Sequence, residues 1–78
     1  MRKIRTMHLE HLTVSEDTQF YGMAADGVTV APGVRFELHG MVNGDVTAGD
    51  GAAVEIYGML SGKVIGGKAH VHVYGLVS

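Results

Sequence analysis

The chain has no cysteine and no tryptophan, and a single proline among its 78 residues. Without cysteine there is no disulfide staple, no thiolate nucleophile and no Cys-based zinc site. No apolar run approaches the ~20 residues of a membrane helix. The N-terminus lacks the apolar stretch of roughly 7–15 residues that marks a secretory signal, so a cytoplasmic protein is expected. An excess of positive charge is missing too. The net charge is −2 with neutral histidines, which argues against a nucleic-acid-binding domain. The one basic cluster, Arg2, Lys3 and Arg5, reads as a solvated terminus. The length predicts one domain with a small core.

What the chain does have is glycine: twelve residues, spaced rather than clustered. Gly22, Gly40, Gly58 and Gly75 each follow a ring, Tyr21, His39, Tyr57 and Tyr74, and each precedes an apolar residue, Met23, Met41, Met59 and Leu76. The steps between them are 18, 18 and 17 residues. A repeat at fixed period decides the fold before any local propensity does. Inside each repeat the apolar residues alternate, as in Val34, Phe36, Leu38, Gly40, Val42, Gly44 and Val46. Period two predicts strands with these side chains on one face. Helix is disfavoured, because glycine in a helix costs about 1 kcal/mol relative to alanine.

No turn pair recurs at the nine-residue spacing that hairpins would need. The same positions recur once per repeat instead, which predicts a coil that winds round and stacks on its predecessor at ~4.8 Å. The expected fold is an all-β, short β-solenoid of about four coils of 17–18 residues over 18–78, with an N-terminal cap over 1–17. Phe20, Leu38, Ile56 and Val73 form one inward column, and Phe36, Val54 and Val71 another. Thr18 and Glu16 fall where Phe36 and Val34 point inward, and Asp26 takes the place of the corner glycine Gly44. The one-residue deficit in the last step is assigned to the Gly66–Gly67–Lys68 turn. Within the cap, 4–14 suits either a short amphipathic helix or a strand.

The pattern apolar-x-Gly-x-apolar-x-Gly-x-apolar at 38–46 and 56–64, with its echo at 71–77, resembles the bactofilins, polymer-forming bacterial cytoskeletal proteins. The resemblance covers roughly 20–78. It implies a right-handed β-helix whose members join end to end without nucleotide. Bactofilin cores usually have more coils and carry disordered tails. The stretches 56–67 and 70–78 also look like the β-helical C-terminal domain of the Min-system septum-placement inhibitor, which dimerises through one face and binds an ATPase.

No catalytic constellation emerges, and neither enzyme activity nor a cofactor is expected. His70 and His72 share a strand face with Glu37 and Glu55 in reach, but zinc normally takes three or four ligands, so surface histidines are the expected reading and no metal is assigned. His8, Glu10 and His11 lack the spacing of the helical metalloprotease motif. Ser15, Ser61 and Ser78 have no nucleophile elbow around them, and the glycine-rich turns lack P-loop spacing.

The outward positions carry the functional expectation. If Leu38 and Val42 point in, then Tyr21, Met23, His39, Met41, Tyr57, Met59, Tyr74 and Leu76 form an aromatic and methionine stripe along one side. Apolar patches on soluble surfaces mark contact sites, and tyrosine and methionine are enriched there. A corner glycine can also reverse the alternation, which would turn the methionines into the core. The edge at Val71, Val73 and Gly75 is expected to seek a partner strand. Glu37, Asp45 and Glu55 form an acidic face suited to a basic surface. The expectation is a non-catalytic protein working through protein–protein contacts, as a bactofilin-like self-associating scaffold or, alternatively, as a small immunity protein that plugs a toxin domain.

Overall fold

The computed structural model of the chain describes residues 2–77. Its described residues are all-β, and every strand pairing is parallel. The chain turns three corners per coil, so each full coil contributes one short strand to each of three sheets. The first coil is β1 (Arg2–Ile4), β2 (Met7–His8) and β3 (Leu12–Val14). The second is β4 (Thr18–Phe20), β5 (Met23–Ala24) and β6 (Val28–Val30). The third is β7 (Arg35–Leu38), β8 (Met41–Asn43) and β9 (Val46–Ala48). The fourth is β10 (Ala53–Ile56), β11 (Met59–Ser61) and β12 (Val64–Ile65), and β13 (His70–Val73) and β14 (Leu76–Val77) begin a fifth. This is the expected β-solenoid.

The register confirms the inward columns. Ile4, Phe20, Leu38, Ile56 and Val73 stack in one line, and Phe36, Val54 and Val71 in the next. Phe20, Phe36, Leu38, Val54 and Ile56 are fully buried. A single coil cannot enclose such side chains; the stack does, because each coil roofs the one beside it. Thr18 occupies the Phe36 column and is buried, with its hydroxyl donating to the Glu16 carbonyl at 2.8 Å. That bond satisfies the one polar group this column takes inside.

Residues 4–14 contain no helix. Arg2–Ile4, Met7–His8 and Leu12–Val14 pair in register with the second coil. The step from this coil to the next is 16 residues (Ile4 to Phe20), shorter than the 18 that follow. The two extra residues enter at the Ala31–Pro32–Gly33–Val34 loop, since Val14 and Val30 are still paired while Thr18 is already paired with Phe36. The later deficit falls between Val64 and His70, where the Gly66–Gly67–Lys68 turn lies. Loops absorb such changes because few packed contacts depend on their length.

Candidate functional site, an aromatic and methionine ladder

The corner between the first and second sheets is built from the ring–Gly–Met motif. Tyr21, His39, Tyr57 and Tyr74 each follow an inward residue, so each points out, and coil stacking sets ring over ring. Neighbouring centroids lie 4.6, 4.8 and 5.0 Å apart with interplanar angles of 10°, 4° and 10°. The Arg5 guanidinium lies 5.9 Å from the Tyr21 centroid and closes the N-terminal end of the ladder as a cation over a ring. The glycine that follows each ring is compulsory for a packing reason. A Cβ on Gly58 would sit 2.1 Å from the Gly40 carbonyl oxygen, and one on Gly40 would meet Gly22 in the same way. The corner brings the backbones of successive coils too close for any side chain.

Past the glycine, alternation resumes outward. Met7, Met23, Met41, Met59 and Leu76 stack in a second column beside the rings. Met41 and Met59 are 37% and 40% exposed, so the corner does not turn the methionines into the core. Val42 and Leu60, one residue on, are buried instead. All eight residues expected in the stripe, Tyr21, Met23, His39, Met41, Tyr57, Met59, Tyr74 and Leu76, therefore lie along one outer edge. Two members escaped the sequence reading, Arg5 and Met7. Arg5–Thr6–Met7 matches Tyr21–Gly22–Met23 in register, but Thr6 replaces the glycine and the step is 16. The Cβ at this corner points toward the preceding coil, and for Thr6 no described coil lies on that side.

A polar network flanks the ladder on the outer face of the first sheet. Gln19, Glu37, Glu55 and His72 form one column. Glu37 is buried although it faces outward. Arg35 Nε lies 3.2 Å from Glu37 Oε2 and 2.6 Å from Glu55 Oε1. Gln19 Nε2 donates to Glu37 Oε1 at 3.3 Å. His39 Nε2 is 3.2 Å from that same oxygen; a carboxylate only accepts, so this nitrogen carries the proton. The Tyr57 hydroxyl donates to Glu55 Oε2 at 2.9 Å. That bond, with Arg35 behind it, holds the Glu55 carboxyl below the usual range against the opposing effect of burial. The same bond, helped by burial, pushes the Tyr57 hydroxyl up. Arg35 is raised by its hydrogen bond to Glu55. Asp45 sits apart at a corner, where its Oδ1 accepts from the Lys63 amide at 3.2 Å.

Among the described residues no three His, Asp or Glu side chains come together as a metal-binding group. His70 and His72 lie on the outer face of β13. On the last described coil Val71, Val73 and Val77 continue buried columns yet are exposed, and Gly75 stacks on Gly58. No described helix is long and apolar enough to cross a membrane. Comparison with family models, curated proteins and solved structures finds no match to this chain.

Proposed function

We propose that the chain is a non-catalytic, self-associating scaffold of bactofilin-like kind, acting through the ladder edge. The observation that carries this reading is the pair of adjacent outer columns, rings and methionines, repeated rung for rung along the stack. A contiguous exposed apolar stripe marks a contact site, and methionine packs adaptably against a neighbour. A second copy is the partner whose side chains recur at the same coil spacing. Two such edges can interdigitate along their whole length, whereas a surface without that period matches only one or two rungs.

The acidic residues favour this reading over a toxin-neutralising inhibitor. Glu37 and Glu55 are already engaged by Arg35, Gln19, His39 and Tyr57, so a basic partner surface would have to displace those contacts. The exposed Val71, Val73 and Val77 supply a second surface, which further strands, of this chain or of another copy, would extend.

The test pairs a melt with sedimentation. Replacing Tyr57 and Met59 together by Ser removes one interior rung, a ring and a methionine whose side chains are largely outside the core. Central aromatics carry much of an interface's energy, so association is expected to weaken by about tenfold or more. The melting temperature should stay close to the parent's. Unchanged association, or a parent chain that sediments strictly as a monomer, would overturn the proposal.

A further inference from the structure

Tyr57 and Tyr74 are the one pair of tyrosines in consecutive rungs of the ladder; Tyr21 is separated from Tyr57 by His39. The Tyr57 and Tyr74 rings are stacked at 5.0 Å with 10° between planes. Both are open to solvent, at 43% and 64% exposure. The Tyr57 hydroxyl is already hydrogen-bonded to a carboxylate oxygen, Glu55 Oε2, at 2.9 Å. Stacked, solvent-accessible phenols with a proton acceptor in place have the arrangement that radical coupling requires. The geometry points to an intrachain oxidative cross-link, a dityrosine between Tyr57 and Tyr74, formed when the protein meets a one-electron oxidant.

The chemistry balances as follows. Each phenol gives one electron to the oxidant, so two oxidant equivalents are reduced. Tyr57 passes its phenolic proton to Glu55, and Tyr74 passes its own to water. The two phenoxyl radicals join through ring carbons ortho to oxygen, one Cε from each ring, in a new carbon–carbon bond. Each joined carbon then loses its hydrogen as a proton, and each oxygen regains one, which restores two phenols. Glu55 returns its proton to solvent. The net loss is two electrons and two protons.

The bond would join the residues that directly follow β10 and β13, and so tie the ends of the two strands covalently. That is the place where it matters, since every residue of β13 is exposed and β10 is its one described neighbour in the sheet. The inference concerns the unassociated chain, in which the ladder edge is open to the oxidant. The carboxylate gives it a specific handle, because an oxidised phenol is a strong acid and Glu55 stands ready to receive its proton.

The experiment uses the dilute full chain with a photogenerated ruthenium(III) polypyridyl oxidant and persulfate as the electron sink. The expected product is a single chain lighter by two hydrogen atoms, with dityrosine fluorescence. Trypsin should release residues 36–63 joined to residues 69–78. Tyr57→Phe and Tyr74→Phe should each abolish it, and Tyr21→Phe should leave its yield unchanged. Glu55→Gln should slow coupling by about a hundredfold, the lower end of what a positioned proton acceptor contributes. A cross-link to residues 6–35 in equal yield, a cross-link only between chains, or no dityrosine at all would overturn the pairing. An unchanged rate in Glu55→Gln would overturn the part assigned to the carboxylate.

Discussion

Adding one methyl group at Gly58 should be among the most damaging single changes in this chain. The backbone at Gly58 is not in the left-handed region, so alanine meets no conformational penalty there. The obstacle is the neighbouring coil. The new Cβ would lie 2.1 Å from the Gly40 oxygen and 2.7 Å from the His39 oxygen, where ordinary contact begins at 3.4 Å. Relief requires the coils to part by about 1.3 Å at this corner. Three backbone hydrogen bonds span the gap there: Tyr57 N–H and Gly58 N–H to the Leu38 carbonyl at 2.7 and 2.8 Å, and Met59 N–H to the Gly40 carbonyl at 2.9 Å. At roughly 1 kcal/mol for each bond lost, plus about 1–3 kcal/mol for overpacking, Gly58→Ala should cost about 4–6 kcal/mol. A total stability of about 5–15 kcal/mol leaves little margin for that.

Two other glycines are internal controls. Gly51 has φ +75° and open space around its absent Cβ, so Gly51→Ala should cost only the left-handed penalty of about 1–2 kcal/mol. Gly67 has open space and no positive φ; Gly67→Ala should be neutral or stabilise by up to ~1 kcal/mol through the unfolded chain. Urea titrations followed by circular dichroism would rank the three. A Gly58→Ala protein as stable as Gly67→Ala would refute the argument that coil spacing makes this glycine compulsory.

Three further outcomes are expected. Ile56→Ala and Val73→Ala alter the same column, but Ile56 is fully buried and Val73 is 52% exposed; denaturation should show a loss of about 2–5 kcal/mol for the first and well under half of that for the second. Glu55 has its carboxyl lowered chiefly by Tyr57, so it adds stability that is present above the unfolded-state pKa and lost as pH falls through the folded one. Tyr57 is raised, so its contribution is present below the unfolded value near 10 and lost as pH rises further. Melts across pH should therefore weaken at both extremes, and Tyr57→Phe should flatten both limbs; identical profiles for the two proteins would count against the pair. Amide exchange should run slowest in β7, β8 and β10, and fastest in β13 and β14, since local opening follows packing. Uniform protection along the stack would contradict the exposure of the last coil.

The sequence by itself determined the period, the inward columns of Phe20, Leu38, Ile56 and Val73, and the outward direction of the rings. These are consequences of alternation within a strand and of repetition between coils, and both are local rules. Tertiary structure decided what happens across corners. Alternation carries no information through a bend, so the outward course of Met23, Met41 and Met59 became definite only with the corner's dihedral angles in place. The first coil was hidden for a related reason. Thr6 stands where later coils need glycine, and its step is 16, so 2–14 breaks the pattern that announces the others. Arg35 was invisible as the centre of the polar network, because its bond to Glu55 joins residues twenty apart on neighbouring coils. Such a contact depends on which coil lies beside which, and on the direction in which a long side chain crosses the sheet, and neither is written in any one repeat.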